Sequence, residues 1–434
     1  MDDPRLSRTP SPNRRLTEWA YSLWQAAVLR SGMLTLTIIA ILLLGFAFAW
    51  REHMKGQFGR LKRELKGPAA AVAPPPPLPG GQDPIVLERS TIEGGSVPEF
   101  LSATLLPGRG MNIFQIKAYL PSKGEVELLS SPPLEEAGRL MNGKNSDANG
   151  AASLSLGAAF EAPWAGRIFG APSGNNSINT SWNGTAIHLP SDRSNGIAVA
   201  TGGLLLKAAS NSVKTNVMPD GGDAEATYES GSFDEHWPSK LRITSTAQLS
   251  GRVLDIKLTA LNVGDTAAPV GLGWHPLFRV IGNRGSMVLR LPSQARIERS
   301  HANTPTGKLL PVTGTRYDFS DRMGSVLGNA EIDDTFVHLR QAPLDNGPVA
   351  ELRDPTNNFG LRMTLLSPSI KALHVSAPAD GKYVMISPQF NYDDPFGRQW
   401  SREEDTGMIV LQPGQSTQWR VRLEIFALTS NSLQ

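Results

Sequence analysis

The sequence predicts an all-β fold, a large antiparallel β-sandwich, preceded by one transmembrane α-helix. Three observations carry this expectation. Ser31–Trp50 is a run of twenty uncharged, mostly apolar residues. Beyond it, short stretches of alternating apolar and polar residues recur between clusters of Gly, Asn, Asp and Pro, the signature of half-buried strands. The composition, 40% hydrophobic and 19% charged over 434 residues, is that of a globular chain and not of a disordered or multi-spanning one.

Residues 1–30 form an N-terminal basic tail, followed by the expected membrane helix at 31–50. At 1.5 Å per residue the apolar run spans about 30 Å, the hydrocarbon thickness of a bilayer. Tyr21 and Trp24 before it and Trp50 at its end suit the interfacial aromatic belt. The rival is a cleaved signal sequence, for which Ala47-Phe48-Ala49 has the small-x-small spacing. A long charged lead-in and the bulky Trp50 favour the anchor.

Residues 51–84 are a basic juxtamembrane stretch and then a Pro-rich spacer, GPAAAVAPPPPLPGGQDP. Extended at about 3.1 Å per residue, this spacer would reach roughly 55 Å. The folded domain is expected over 85–434. Its clearest strands are KLRITSTAQL (240–249), VLDIKLTALNV (253–263), SMVLRLP (286–292), GMIVLQPG (407–414) and QWRVRLEIFAL (418–428). No repeat of about 33 to 45 residues is visible, which argues against a propeller or solenoid. MNGKNSDANGAASLSLG (141–157) reads as an exposed loop.

Charge and cysteine content exclude several functions. Residues 1–66 carry 11 basic and 5 acidic residues, leaving 31 basic and 35 acidic for the rest. The positive excess therefore flanks the apolar run, and a nucleic-acid partner, which needs clustered positive charge on the domain, is not expected. With no cysteine, disulfides, thiolate metal sites and cysteine nucleophiles are excluded. No cofactor fingerprint or metal-spaced histidine pair is present, so neither cofactor nor metal is expected.

Orientation is read from two opposed signals. Three arginines precede the apolar run within twenty residues, whereas six basic residues follow it, which by the positive-inside rule favours a cytoplasmic domain. The absence of cysteine and the presence of a tether favour a periplasmic one, and that side is the expectation adopted.

Seven histidines are scattered along the chain. His53, His338 and His374 read as surface or strand filler. His275 is different, because it stands in NVGDTAAPVGLGWHPLFRV (262–280), held between Trp274 and Pro276 after a strand. An imidazole so restricted can meet a ligand at little ordering cost.

These residues resemble a known family. N-x-G-D, seven residues, then G-x-H-P-x-F is similar to the signature of the aldose 1-epimerase (galactose mutarotase-like) family. Three further stretches agree in order. PWAGRIFG (163–170) resembles the segment whose arginine holds the sugar, here Arg167. PTGKLLPVTGTRYDFSD (305–321) followed by EIDDTFVHL (331–339) resembles the segment carrying a sugar-binding aspartate, here Asp333. VLQPGQSTQWRVRLEIF (410–426) resembles the closing strand pair. The resemblance implies the galactose mutarotase-like supersandwich and a carbohydrate partner, an aldose or a polysaccharide end. It also implies that His275 donates a proton to the sugar ring oxygen.

Two departures qualify it. The family's general base is a glutamate in an I/V-E-P segment, where VMISPQF (384–390) has Ser387. The family's first histidine is replaced by Thr201 in AVATGGLL (198–205). Asp393 and Asp394 are the expected substitutes for the base, with Glu235 a further candidate. Trp274 and Gln389 complete the expected sugar-binding set, with Phe390 and Tyr392 as further stacking faces. A non-catalytic carbohydrate-binding module on the same fold is the competing expectation.

Overall fold

The computed structural model describes residues 12–65, 78–89, 95–174, 176–194, 196–379 and 381–428. The first eleven residues of the basic tail and residues 66–77 of the spacer region lie outside the described residues. The chain divides into two compact units, residues 1–75 and 76–434.

The first unit is one helix, α1 (Pro12–Leu65). Within it Glu18–Gly56 is long and apolar enough to cross a membrane, with a mean hydropathy of 2.4 and none of that window buried. Leu34, Leu36, Leu42, Leu43, Leu44 and Phe46 all stand exposed around the helix. Apolar residues on every side, rather than along one stripe, distinguish it from an amphipathic helix covering a core.

The second unit is built on two large antiparallel sheets. The strands that position the functional residues are β1 (Ile85–Glu88), β2 (Glu99–Leu106), β3 (Asn112–Leu120), β4 (Gly124–Glu127), β5 (Ala158–Glu161), β6 (Arg167–Phe169), β7 (Gly273–Arg279), β8 (Ala295–Arg299), β9 (Pro305–Pro311), β10 (Ile332–Val337), β11 (Ala372–Ala377) and β12 (Tyr383–Gln389). The larger sheet runs β1-β2-β3-β5-β7-β12-β11-β10-β8-β9, with β4 paired to β3. The second, nine-stranded sheet contains Leu241–Ser250, Val253–Asn262 and Ser416–Ala427 as adjacent strands. β6 belongs to a small separate sheet.

Strand patterning explains where the core lies. Along Leu241–Ser250 and Val253–Asn262 burial alternates residue by residue, putting Ile243, Ala247, Leu254, Ile256 and Leu258 inside. The partner strand contributes Trp419, Val421, Leu423 and Ile425 to the same face. Trp419 is fully buried, and its indole N–H donates to the carbonyl of Pro388 on β12 at 3.2 Å, tying the two sheets together. β12, by contrast, is buried on both faces over Val384–Gln389, because side chains cover it above and below.

The all-β expectation and the single apolar helix agree with the structure, and the strands near 240–262 and 418–428 are present to within two residues. GMIVLQPG contributes only Ile409–Leu411 as strand. The segment 141–157 agrees with expectation only in part: residues 142–146 and 148 are exposed, but others turn inward. Met141, Asp147 and Ser153 are buried in it. Asp147 accepts both guanidinium Nη atoms of Arg109, at 2.8 and 2.9 Å, and Arg109 Nε donates to Ser153 at 3.0 Å. The Gly- and Asn-rich composition there serves tight turns, with Asn145, Gly143 and Gly150 at positive φ.

Candidate active site

The register of the larger sheet lines up a row of polar side chains on one face. Gly273 on β7 pairs with Glu161 on β5 and with Gln389 on β12. Together with the Leu277↔Met385 pair, this register sets His275 opposite Ser387. Ser387 pairs in turn with His374 on β11, and His374 with Thr335 on β10. Directly paired residues share a face, and alternate residues on each strand return to it. Glu161, His275, Ser387, Gln389, His374, Thr335 and Asp333 therefore project from the same side of five contiguous strands. The opposite side carries Trp274, Phe278, Ile386, Leu373, Val375 and Phe336, all in the core.

Arg167 enters this row from β6, held by the turn Asn391–Asp394. Asn391 clamps the backbone of Ala165, accepting its N–H at 3.0 Å and donating to its carbonyl at 2.8 Å. Asp393 Oδ1 accepts the Arg167 N–H at 3.3 Å, the Asp394 N–H donates to the Arg167 carbonyl at 2.6 Å, and Asp394 Oδ1 accepts the Phe169 N–H at 3.1 Å. So fixed, the Arg167 guanidinium stands 3.7 Å from both Asp333 and Asp393.

Asp333 is the most open member of the row, with its side chain 43% exposed. Its Oδ1 lies 2.8 Å from His374 Nε2, and its Oδ2 faces Arg299 Nη1 at 3.3 Å and Asn303 at 3.4 Å. Burial would raise its pKa, but the His374 hydrogen bond and the charges of Arg167 and Arg299 outweigh it and hold the carboxyl well below the usual carboxylate range. His374, expected as strand filler, is thus a member of the site. Its strand is buried on both faces, so the sequence pattern does not say which face is polar.

Asp393 and Asp394, expected as bases, are structural partners of Arg167 in this geometry. Asp393 Oδ2 also receives Arg299 at 2.6 Å and the Thr335 hydroxyl at 3.0 Å. Against the effect of its burial, Arg167, Arg299 and His374 hold its pKa down, which makes it a weak proton acceptor. Asp394 accepts from Gln399 at 2.9 Å, and burial pushes its pKa up despite that bond and the one from Phe169. Glu235 lies in an exposed turn.

Trp274, expected to stack on the sugar, does not. Strand alternation turns it away from His275 into the core, where it is fully buried, meets Phe278 edge-on and donates to the Ala158 carbonyl at 3.2 Å. Phe390 and Tyr392 are likewise buried, the latter packed against Trp400. Gln389 does belong to the row. It is fully buried, and neither its Nε2 nor its Oε1 meets a protein hydrogen-bond partner. Arg167 Nη2 is also buried without a protein hydrogen bond, its contacts to Asp333 and Asp393 being ion pairs at 3.7 Å. Such atoms are uncommon in folded interiors.

The residue that sequence reading passes over is Glu161. Its side chain is 1% exposed at the floor of the row. Oε1 accepts the Gly166 N–H at 3.2 Å and lies 3.8 Å from His275 Nδ1, and Oε2 accepts from the Ser387 hydroxyl at 3.5 Å. Gly273 makes this reach possible, since a Cβ there would stand 3.0 Å from Glu161 Oε2 and 2.6 Å from the Ala165 Cβ. Burial raises the Glu161 pKa to about 8, with the nearby Asp393 adding to the rise and the Gly166 and Ser387 bonds opposing it. Burial, followed by His374 and Arg167, pushes His275 down to about 3. The signal in the sequence was one glutamate within the apolar stretch AAFEAPWA, a residue type that is almost never fully buried without a partner.

Comparison with known proteins bears on the family and the fold. A family model described as Aldose 1-epimerase matches residues 151–424. The maltose epimerase of Levilactobacillus brevis is 29% identical over 157 residues, a match that covers 33% of this chain and 44% of that protein. The chain thus aligns with less than half the length of that relative. Among solved structures, a galactose mutarotase-like protein from Clostridium acetobutylicum superposes with a TM-score of 0.63 at 16% identity, covering 80% of this chain and 99% of that one. The GalM/aldose epimerase homologue from C. elegans gives 0.58 at 17% identity, with 80% and 99% covered. The fold is that of these proteins, and the match over residues 151–424 establishes that the chain belongs to the aldose 1-epimerase family.

Proposed function

We propose that this chain is a membrane-anchored aldose 1-epimerase, interconverting the α and β anomers of a free aldose or of the reducing end of a longer sugar. The observation that carries the reading is the single polar face holding Asp333, His374 and His275 over contiguous strands, with Arg167 reaching it from β6. Arg167 and Asp333, with Gln389 further along the same face, take the sugar hydroxyls. His275 protonates the ring oxygen as the C1–O5 bond breaks, while a base takes the proton of the anomeric hydroxyl and C1=O1 forms. Rotation about C1–C2 and reclosure with the protons returned give the other anomer.

Glucose, galactose and maltose are the sugars to try first, the last because the curated relative is a maltose epimerase. The test is the rate of anomer interconversion by full-length protein in detergent, followed by saturation-transfer NMR from each pure α-anomer. Ser387 in place of a glutamate favours a second reading, a carbohydrate-binding module without catalysis. Sugar binding without any acceleration over buffer would select it.

The apolar helix supports a membrane tether, and our reading puts the domain, 85–434, on the periplasmic side. We expect the protein to stay in the membrane pellet through alkaline carbonate and to leave it with detergent. Release by carbonate would instead fit a cleaved leader. Protease added to intact spheroplasts is expected to digest the domain, and protection would put it on the cytoplasmic side.

A further inference from the structure

We propose that Glu161 is the general base of this chain, supplied from β5 across Gly273 to a point beside Ser387. The inference rests on the epimerase reading above. It starts from a substitution and a geometry that are independent of one another. At 387 the chain has a hydroxyl, which with its high pKa does not take a proton from an anomeric hydroxyl near neutral pH. Two strands away in the sheet, and 226 residues away in the sequence, a glutamate brings its Oε2 to 3.5 Å from that hydroxyl. The only strand between them is crossed at a residue without a side chain, and an added Cβ there would press on the carboxylate. The carboxylate thus arrives from the opposite side of β7, yet lies next to the same two residues, His275 and Ser387.

Among the described residues Glu161 makes no ion pair with an arginine or lysine, and its hydrogen bonds are to one backbone N–H and one hydroxyl. A buried carboxyl without a cationic partner costs stability, and a proton-transfer role accounts for its presence. Asp393 and Asp394 are instead bonded to Arg167, Arg299, Thr335, Phe169 and Gln399.

The proton inventory closes. In the free chain the pair Glu161–His275 holds one titratable proton, and burial leaves it on the carboxyl. Transfer from Glu161 to His275 Nδ1, 3.8 Å away, gives a carboxylate and an imidazolium. Separations in a free site are often longer than those in the sugar complex. The imidazolium then gives its Nε2 proton to O5 as C1–O5 breaks. The carboxylate takes the O1 proton as C1=O1 forms, and reclosure reverses both transfers. The form with one proton on the pair is the active one, so its population sets the pH profile. The charged and titratable groups facing the pair are Asp393 on the Asn391–Asp394 turn, Arg167 on β6, His374 on β11 and Asp333 on β10. The rate constant is expected to be flat near neutrality and to fall as pH rises through about 8, where Glu161 loses the shared proton.

The experiment compares full-length wild type, Glu161→Gln, Glu161→Ala and Glu161→Ala/Ser387→Glu in detergent, with anomer exchange and sugar binding read by NMR. Glu161→Gln should lower kcat/KM by about 10²–10⁴-fold, the usual value of a positioned base, with sugar affinity changed by less than about threefold. The double variant, which moves the carboxylate back to β12, should recover on the order of tenfold or more over Glu161→Ala. Glu161→Gln within about twofold of wild type, beside an inactive His275→Ala, would overturn the role of Glu161 and leave the epimerase reading standing. Should the Glu161 variants fail to fold, the wild-type profile still decides: a rate that does not fall between pH 7 and 9 overturns the proposal. Wild type no faster than buffer on any of the sugars overturns both readings together.

Discussion

His275→Ala will lower kcat/KM for anomer exchange by about 10²–10⁴-fold, the range for loss of one general acid–base partner. Sugar affinity should change by less than about threefold, because Arg167, Asp333 and Gln389 are untouched. The expectation follows from the placement of the ring. His275 stands on the polar face of β7 in register with Ser387, one side of the imidazole facing Glu161 and the other facing the Arg167–Asp333 end of the row. Among the described residues no other imidazole is paired with Glu161: His374 is bonded to Asp333 at 2.8 Å. Its effect should therefore be of another kind. His374→Ala frees Asp333 from one of its restraints, so it is expected to weaken sugar binding more than it slows the chemical step. A split of kcat from KM between the two variants checks this. Equal losses of kcat in both would show that the two rings act as one unit.

Arg109→Ala will destabilise the domain by about 3–5 kcal/mol, the cost of leaving a buried carboxylate without its cation. Arg109 and Asp147 have side chains only 1% and 3% exposed, and they meet in a bidentate pair. Asp147 also accepts the N–H groups of Gly143 and Ala152, so the turns of 141–157 are organised around it. Solvent screening is slight at this depth. The same segment leads directly into β5, and Asn112 holds the junction by donating to the Leu156 carbonyl and accepting from the Ala158 N–H. Urea unfolding of the full-length chain should show a lower midpoint. The paired change Arg109→Met/Asp147→Leu should cost less than Arg109→Ala alone, since it leaves no orphaned charge. A single variant as stable as wild type would mean that water reaches Asp147.

Much of this molecule was legible from its residues, and the limits have physical causes. Alternation identified the strands near 240–262 and 418–428 because each has one wet face. The larger sheet gave a weaker pattern, since β11 and β12 are covered on both sides and apolar residues occupy both parities. That is why Trp274 was assigned to the sugar and His374 to the filler, whereas their faces are the reverse. His275, Arg167 and Asp333 carried their own local motifs, and the structure brings Arg167 and Asp333 within 3.7 Å. Glu161 has no motif. Its meaning comes from a register that sets it beside Gly273 and from a serine 226 residues later, and no local window contains both. Segment 141–157 looked solvated because glycine and asparagine serve exposed loops and tight buried turns equally well.

The central claim is that the polar face of this sheet moves a proton on and off a sugar's anomeric centre. Its most direct test is saturation-transfer NMR of α-glucose, α-galactose and α-maltose with the full-length protein in detergent at neutral pH. The account predicts anomer exchange well above the buffer rate for at least one of the three, abolished by His275→Ala. Exchange at the buffer rate for all three, with the domain folded and sugar bound, would contradict it.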